Sequence, residues 1–291
     1  MFKQIAIYWP LSVILLTTLP ARAQHKMVPM LMQNGRYTFV DSLKRNTGIE
    51  LFFDRAFPFS EHTAAVRVNG KWALINKMGA NVSEALYDEI NPVSEGLASA
   101  IQNHQGVYID STGKSVLQGL FVRTTSFSEG LAAVSDGRHW GYIKHDGTIA
   151  LPLEFEYARK FSQGLAPIKM DGLWGYIGKK GNRAIPIMYQ EATPFSGGVA
   201  AVKLRNKWML INPQGITIRQ TNFEEMLGFS EGLAPAKYNG KWGFVNTNGR
   251  FVIEPRFEGA DGFENGYARV FNNGKRYYIN RLGSAFIEGG E

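Results

Sequence analysis

The feature that most constrains this chain is a 34-residue repeat that runs without slippage along most of its length. The stretch FSEGLAAVSDGRHWGYI, which begins at Phe127 and ends at Ile143, recurs in near-copies, and its first residue has an equivalent in each copy. These equivalents are Phe59, Val93, Phe127, Phe161, Phe195, Phe229 and Phe263. A fixed period of this size indicates stacked or radial copies of one supersecondary unit. The repeat therefore specifies architecture far more clearly than chemistry.

Turn signals divide each copy into short strands. Dipeptides such as Asn69-Gly70 and Asp171-Gly172 favour tight hairpins, because these residue types tolerate positive φ. A second turn ends in glycine in every copy, at residues 79, 113, 147, 181, 215, 249 and 283. Aromatic residues make up 13% of a chain that shows no long helical pattern, which favours many short strands. We therefore predict an all-β tandem repeat array of about eight 34-residue, three-stranded antiparallel units.

Several positions hardly vary between copies, and each of them predicts packing. The first strand always carries alanine, which indicates a close approach of another backbone at that point. The alanines are Ala64, Ala98, Ala132, Ala166, Ala200, Ala234 and Ala268. An aromatic ring in the connection, such as Phe155 or Tyr189, is predicted to fill the seam with the next unit.

The unit is short for a propeller blade, which usually has four strands and about 40 to 50 residues. Three predicted strands in 34 residues therefore favour an open, solenoid-like superhelix. A closed β-propeller is the alternative, since eight units would also suit a ring.

The chain divides into three predicted regions. Lys3, an apolar run from Ile5 to Leu19 and the sequence Ala21-Arg22-Ala23 predict a cleaved signal peptide over residues 1–23, with export to the periplasm or the extracellular space and no membrane span after cleavage. Residues 24–58 look like a degenerate first repeat that caps the array. Seven regular repeats follow over residues 59–288: 59–92, 93–126, 127–160, 161–194, 195–228, 229–262 and 263–288. The chain has no cysteine, so packing alone must stabilise it.

The second strand carries the most distinctive motif. Trp140-Gly141-Tyr142-Ile143, Trp174-Gly175-Tyr176-Ile177 and Trp242-Gly243-Phe244-Val245 each follow a Gly-Leu-Ala strand. In motif, order and spacing, residues 59 to 288 resemble the WG-repeat proteins. Gly106-Val107 and Arg276-Tyr277 depart from the pattern. The resemblance implies a bacterial, often exported repeat protein without a settled common activity, and it implies no catalytic residue.

Motifs that could carry catalysis have simpler explanations in the repeat. Gly228-Phe229-Ser230-Glu231-Gly232 satisfies G-x-S-x-G, but the same FSEG recurs at Phe127 without the strand-to-helix context of a nucleophile elbow. The recurring glutamates near it, such as Glu129, favour a turn or an inter-unit hydrogen bond over acid–base catalysis. The five histidines lack metal-ligand spacing. We therefore predict no enzyme activity, no cofactor and no metal.

The candidate functional residues are aromatic, either buried in the core or exposed for binding. They are Trp72, Trp140, Trp174, Trp208, Trp242, Tyr142 and Tyr176. The leading hypothesis is an exported, non-catalytic repeat protein that presents a binding or scaffold surface to a protein or peptide partner. Glycan or cell-envelope binding through exposed Trp and Tyr is the alternative, and an exported hydrolase is the weakest. The net charge of +7 is scattered rather than clustered, so no nucleic-acid partner is expected.

Overall fold

The computed structural model describes residues 27–32, 35–41, 51–84, 86–264 and 266–286, and these contain 29 strands and no helix. The predicted all-β class is confirmed. The described part of the chain accordingly holds no helix that could cross a membrane. The predicted signal peptide, residues 1–23, lies outside the described residues.

All the sheets are antiparallel, and consecutive strands are neighbours throughout. A two-stranded sheet contains β1 (Met27–Leu31) and β2 (Tyr37–Asp41). Seven further sheets contain β3 (Arg55–Ala56), β4 (Thr63–Val68) and β5 (Lys71–Asn76); β6 (Glu89–Ile90), β7 (Leu97–Gln102), β8 (Gln105–Asp110) and β9 (Ser115–Phe121); β10 (Arg123–Thr124), β11 (Ala132–Ser135), β12 (Trp140–Ile143) and β13 (Ile149–Phe155); β14 (Tyr157–Ala158), β15 (Leu165–Met170), β16 (Leu173–Gly178) and β17 (Arg183–Tyr189); β18 (Glu191–Ala192), β19 (Ala200–Leu204), β20 (Lys207–Ile211) and β21 (Thr217–Gln220); β22 (Glu225–Met226), β23 (Leu233–Tyr238), β24 (Lys241–Asn246) and β25 (Phe251–Phe257); and β26 (Gly259–Ala260), β27 (Tyr267–Asn272), β28 (Lys275–Asn280) and β29 (Ala285–Phe286).

Each repeat shares its strands between two sheets. Repeat 127–160 supplies β11, β12 and β13 to one sheet, whereas its last strand, β14, pairs with β15 of the following repeat. In that pair Tyr157 lies opposite Lys169 and Ala158 lies opposite Ile168. The complete sheets therefore have four strands, and the prediction of three was wrong because a two-residue strand leaves no periodic signal.

The seven repeat sheets are arranged as a seven-bladed β-propeller. The predicted open superhelix is therefore wrong, and the closed ring that was its alternative is observed. Tyr37 in β2 lies close enough to Tyr278 in β28 to add to the rise in the pKa of Tyr278, which burial chiefly causes. The two ends of the array thus approach one another. The fourth strand accounts for the error, because it allows 34 residues per repeat to build a four-stranded blade.

Local backbone chemistry explains the turns. Asn69 and Gly70 have φ of 50° and 81°, the double positive φ of a type I′ hairpin. In the second turn, Gly79 has φ of 80°, and its N–H donates to the carbonyl of Asn76 at 2.9 Å. The Asn76 side-chain oxygen also accepts bonds from the backbone N–H groups of Met78 and Ala80. Both predicted turns are confirmed.

The core lies between neighbouring sheets. One cluster joins Tyr142 and Phe155 of one sheet to Phe161, Ala166 and Ile177 of the next repeat. The repeated alanines are buried at every one of their seven positions. Because each sheet is covered on both faces, a single blade cannot bury its apolar surface alone, and the array is stabilised by stacking.

Candidate functional site

The candidate aromatics lie inside the propeller. Four of the five tryptophans are only 5–9% exposed, and Trp242 is half-buried against the core of its sheet. The four are Trp72, Trp140, Trp174 and Trp208. Trp140 packs against Tyr157 of the next sheet, with 4.8 Å between ring centroids. A row of open indoles for stacking on sugar rings is therefore not present at these residues.

The tyrosines of the motif hold adjacent sheets together. The buried hydroxyl of Tyr142 donates to the carbonyl of Arg159 at 2.7 Å, and that of Tyr176 donates to the carbonyl of Thr193 at 2.8 Å. Tyr108 makes the same bond to Thr125 at 2.9 Å, although its repeat lacks the tryptophan. Burial raises the pKa of all three hydroxyls. Sequence reasoning overlooked Tyr108 because it looked for the Trp-Gly pair rather than for the tyrosine position.

The glycine of the motif makes room for a bulge in the next strand. Between Leu151 and Phe155, β13 bulges towards Gly141, where a Cβ would lie 2.6 Å from the Pro152 carbonyl oxygen. Gly175 and Gly243 face equally close backbone in β17 and β25. Only glycine accommodates such an approach without a shift of the strand.

The FSEG loops form a hydrogen-bonded chain from one repeat to the next, which we call the loop ladder. Five serine hydroxyls donate to the carbonyl of the first residue of the following repeat at 2.6–2.8 Å. The serines are Ser60, Ser94, Ser128, Ser162 and Ser230. The carboxylates of Glu61, Glu95, Glu129 and Glu231 accept bonds from a glycine N–H one repeat on. The predicted inter-unit role of the glutamates is confirmed.

The loop ladder also explains the apparent nucleophile. Ser230 donates its hydroxyl to the Phe263 carbonyl at 2.6 Å, and Glu231 has φ of 52° in a tight turn. Among the described residues, no group of three or more His, Asp or Glu is placed to hold a metal ion.

The loop ladder is interrupted in repeat 195–228. Gly197 occupies the position of the glutamates and has φ of 60°, so it offers no acceptor to Gly232. Within the described range 195–232, Ser196 makes no side-chain bond to Phe229, unlike its counterparts. The seam between repeats 195–228 and 229–262 therefore lacks both loop-ladder bonds that the seams on either side of it have.

Restoring the missing acceptor should strengthen this seam. We expect Gly197→Glu to have a free energy of unfolding about 1 kcal/mol above that of Gly197→Ala, because both place a Cβ at positive φ but only Glu accepts the Gly232 N–H. A Cβ here meets Thr247 at an ordinary 3.5 Å. Urea denaturation of the two variants measures the difference, and equal midpoints would show that the ladder bond contributes nothing.

The same repeat has an unusual outer strand. The third strands β13, β17 and β25 each bulge before their last residue and carry a proline in the bulge. In β21 the pairs Met209↔Gln220 and Leu210↔Arg219 are consecutive, so this bulge is missing, and the strand has no proline. Met209 stands where repeats 127–160, 161–194 and 229–262 have the glycine that faces the bulge. All four residues of β21 are exposed.

Two shallow depressions lie on the described surface. One, of about 330 Å³, is lined by Ile218, Arg219, Thr247, Asn248 and Arg250 at the seam after repeat 195–228. The other, of about 290 Å³, lies beside Trp140 and Tyr157. A comparison of β21 with the outer strands of the other repeats could have drawn attention to Arg219, since four of them have Leu or Ile at this position.

Comparisons with solved structures support the fold alone. A eukaryotic initiation factor matches with a TM-score of 0.53 and 7% identity, covering 91% of this chain and 96% of its own. Hsv2 from Kluyveromyces lactis matches with a TM-score of 0.50 and 9% identity, covering 76% of this chain and 90% of its own. No curated protein sequence matches the chain.

The family comparison accounts for most of the chain. The family described as "WG containing repeat" matches in seven tandem segments, which are residues 37–72, 73–103, 108–137, 140–174, 174–208, 208–242 and 242–275. The matched tryptophans, glycines and tyrosines are those that form the seams, bulges and inter-sheet bonds of the propeller. The chain belongs to the family of WG-containing repeat proteins.

Proposed function

We propose that this protein is an exported, non-catalytic scaffold whose propeller binds a protein or peptide partner. The residues that recur between repeats are engaged in turns, seams and the loop ladder, as Ser230 and Tyr142 illustrate. We therefore assign recognition of the partner to positions where one repeat differs from the others.

The single observation that carries this proposal is the outer strand β21. Among the strands that the structure describes, β21 pairs with β20 alone, and it lacks the bulge and the proline found in β13, β17 and β25. Bulges and prolines are devices that blunt the edges of sheets. An edge without them offers its backbone N–H and C=O groups to an extended peptide, which adds as a further strand.

Exposed apolar side chains support the same location. Ile216 and Ile218 are 61% and 48% exposed, next to and within β21. A peptide strand gains affinity from main-chain hydrogen bonds and specificity from pockets for alternate side chains. Ile218 supplies an apolar contact on this strand.

Selection from a library of random peptides tests the proposal. We expect enriched peptides to bind the purified protein, and we expect their affinity for the Gln220→Pro variant to be at least about tenfold lower. This substitution places a proline within the outer strand, as in three other repeats. Met188→Lys on the bulged strand β17 is the matched control and should leave binding unchanged. Absence of enrichment, or equal binding by Gln220→Pro, would overturn the proposal.

The burial of the tryptophans bears on the glycan alternative. Stacking on sugars needs an open ring face, whereas Trp140 and Trp174 both pack against Tyr157. These rings therefore do not favour glycan binding. Export rests on residues 1–23 alone and stays a prediction, tested by N-terminal sequencing of the mature protein.

A further inference from the structure

At four seams between blades, an aliphatic side chain of the outer strand lies against the turn glycine of the following repeat. Leu117, Leu151, Ile185 and Ile253 lie 2.9–3.2 Å from where a Cβ would stand on the turn glycine of the following repeat. Those glycines are Gly147, Gly181, Gly215 and Gly283. An aliphatic side chain against a bare glycine makes a close, apolar contact at four seams.

At one further seam, an arginine replaces the aliphatic side chain. At the equivalent position Arg219 lies over Gly249, where a Cβ would be 2.7 Å from its Cδ and 3.0 Å from its Nε. The arginine stem thus replaces the aliphatic side chain, and Arg219 also lines the depression at this seam. This is also the seam at which the loop ladder is interrupted.

The depression beside Arg219 holds a second positive charge. Arg250 lines the same depression of about 330 Å³, together with Thr247 and Asn248. Within the part of the chain that the structure describes, neither arginine forms a salt bridge, and no carboxylate lines the depression. Two guanidinium groups at one depression repel each other unless an anion lies between them.

We propose that this depression, formed by Arg219, Thr247, Asn248 and Arg250, binds an oxyanion, either a phosphate or a carboxylate. Guanidinium groups present paired N–H donors that match the geometry of both anions. The Thr247 hydroxyl and the Asn248 amide provide neutral donors beside them. Both arginines are exposed, so binding is weakened by added salt.

The site goes beyond the proposed function and stands without it. A carboxylate could be supplied by an acidic side chain of a peptide on β21, since Arg219 belongs to that strand. A phosphate could be free in solution. The shared chemistry is a small oxyanion, and two probes separate the sources.

NMR titration of the whole protein tests the site with two probes, inorganic phosphate and succinate. We expect saturable shifts of the Thr247, Asn248 and Gly249 amides. Arg219→Leu, which installs the aliphatic residue of the other seams, should weaken binding at least tenfold while the melting temperature stays the same or rises. Arg250→Gln should weaken binding similarly, and Arg183→Gln, outside the depression, should not.

Each outcome of the titration either identifies the anion or overturns the site. Tighter binding of phosphate assigns the site to phosphate, and tighter binding of succinate assigns it to carboxylates. Wild-type affinity in Arg219→Leu, or shifts spread evenly over other basic surfaces, would overturn the site. Peptide selection that fails while phosphate still binds would reject the proposed function and leave the site standing.

Discussion

Replacing Gly141 with alanine is expected to lower the free energy of unfolding by about 2–3 kcal/mol, because the core has no room for the added methyl group. The new Cβ would lie 2.6 Å from the Pro152 carbonyl oxygen and 2.7 Å from that of Leu151. Both are backbone atoms, so the bulge itself must move, and Trp140 and Phe155, which pair across it, move as well. Urea denaturation followed by tryptophan fluorescence measures the loss.

Gly262→Ala is the matched control for this substitution. Its Cβ would meet Ser230 at an ordinary 3.8 Å, and Gly262 does not have positive φ. We expect a change within about 0.5 kcal/mol for this variant. If Gly141→Ala were as stable as Gly262→Ala, the close approach of the bulge would not be what requires glycine in the motif.

The second large effect is expected at high pH, where the buried tyrosines should make the protein unfold. Burial raises the pKa of Tyr108, Tyr142 and Tyr176 above the ordinary value of 10.0. Above pH 10 these hydroxyls ionise in the unfolded chain but stay protonated in the fold, so the unfolded state binds fewer protons. Stability is therefore fully present below pH 10 and falls above it, by about 4 kcal/mol per pH unit for three tyrosines.

Melting curves between pH 8 and pH 12, with tyrosinate absorbance recorded in parallel, check this expectation. The three hydroxyls should ionise together with the loss of structure. Tyr142→Phe and Tyr176→Phe should each be less stable at neutral pH, because a buried carbonyl loses its donor, but should show a shallower decline above pH 10. Ionisation of every tyrosine near pH 10 in a protein that remains folded would contradict the prediction.

Part of the candidate site was predictable from residues alone. The recurrence of Glu95 and Glu129 at one place in successive repeats indicated hydrogen bonds between units, and the structure places their carboxylates on glycine N–H groups one repeat further on. Whether the tryptophans are buried or exposed could not be predicted in the same way. A strand with apolar residues on both faces does not reveal which face a neighbouring blade covers.

Arg219 was not among the residues predicted from the sequence. It belongs to no recognised motif, and its role emerges only from its position over Gly249 and beside Arg250. Arg219 lies in β21, whereas Arg250 lies 31 residues further on, in the turn before β25 of the next sheet. Only the packing of one blade on the next brings them to one depression.

The amino-acid sequence by itself determined the all-β class, the repeat and both turn types, because each depends on the conformations that a few adjacent residues allow. Asn69-Gly70, for example, has the double positive φ that these two residue types favour. Only the tertiary structure decided the fourth strand and the closed ring. A two-residue strand such as Tyr157–Ala158 is stabilised by its partner in the next repeat, and the closure of the ring depends on how side chains set each sheet against its neighbour.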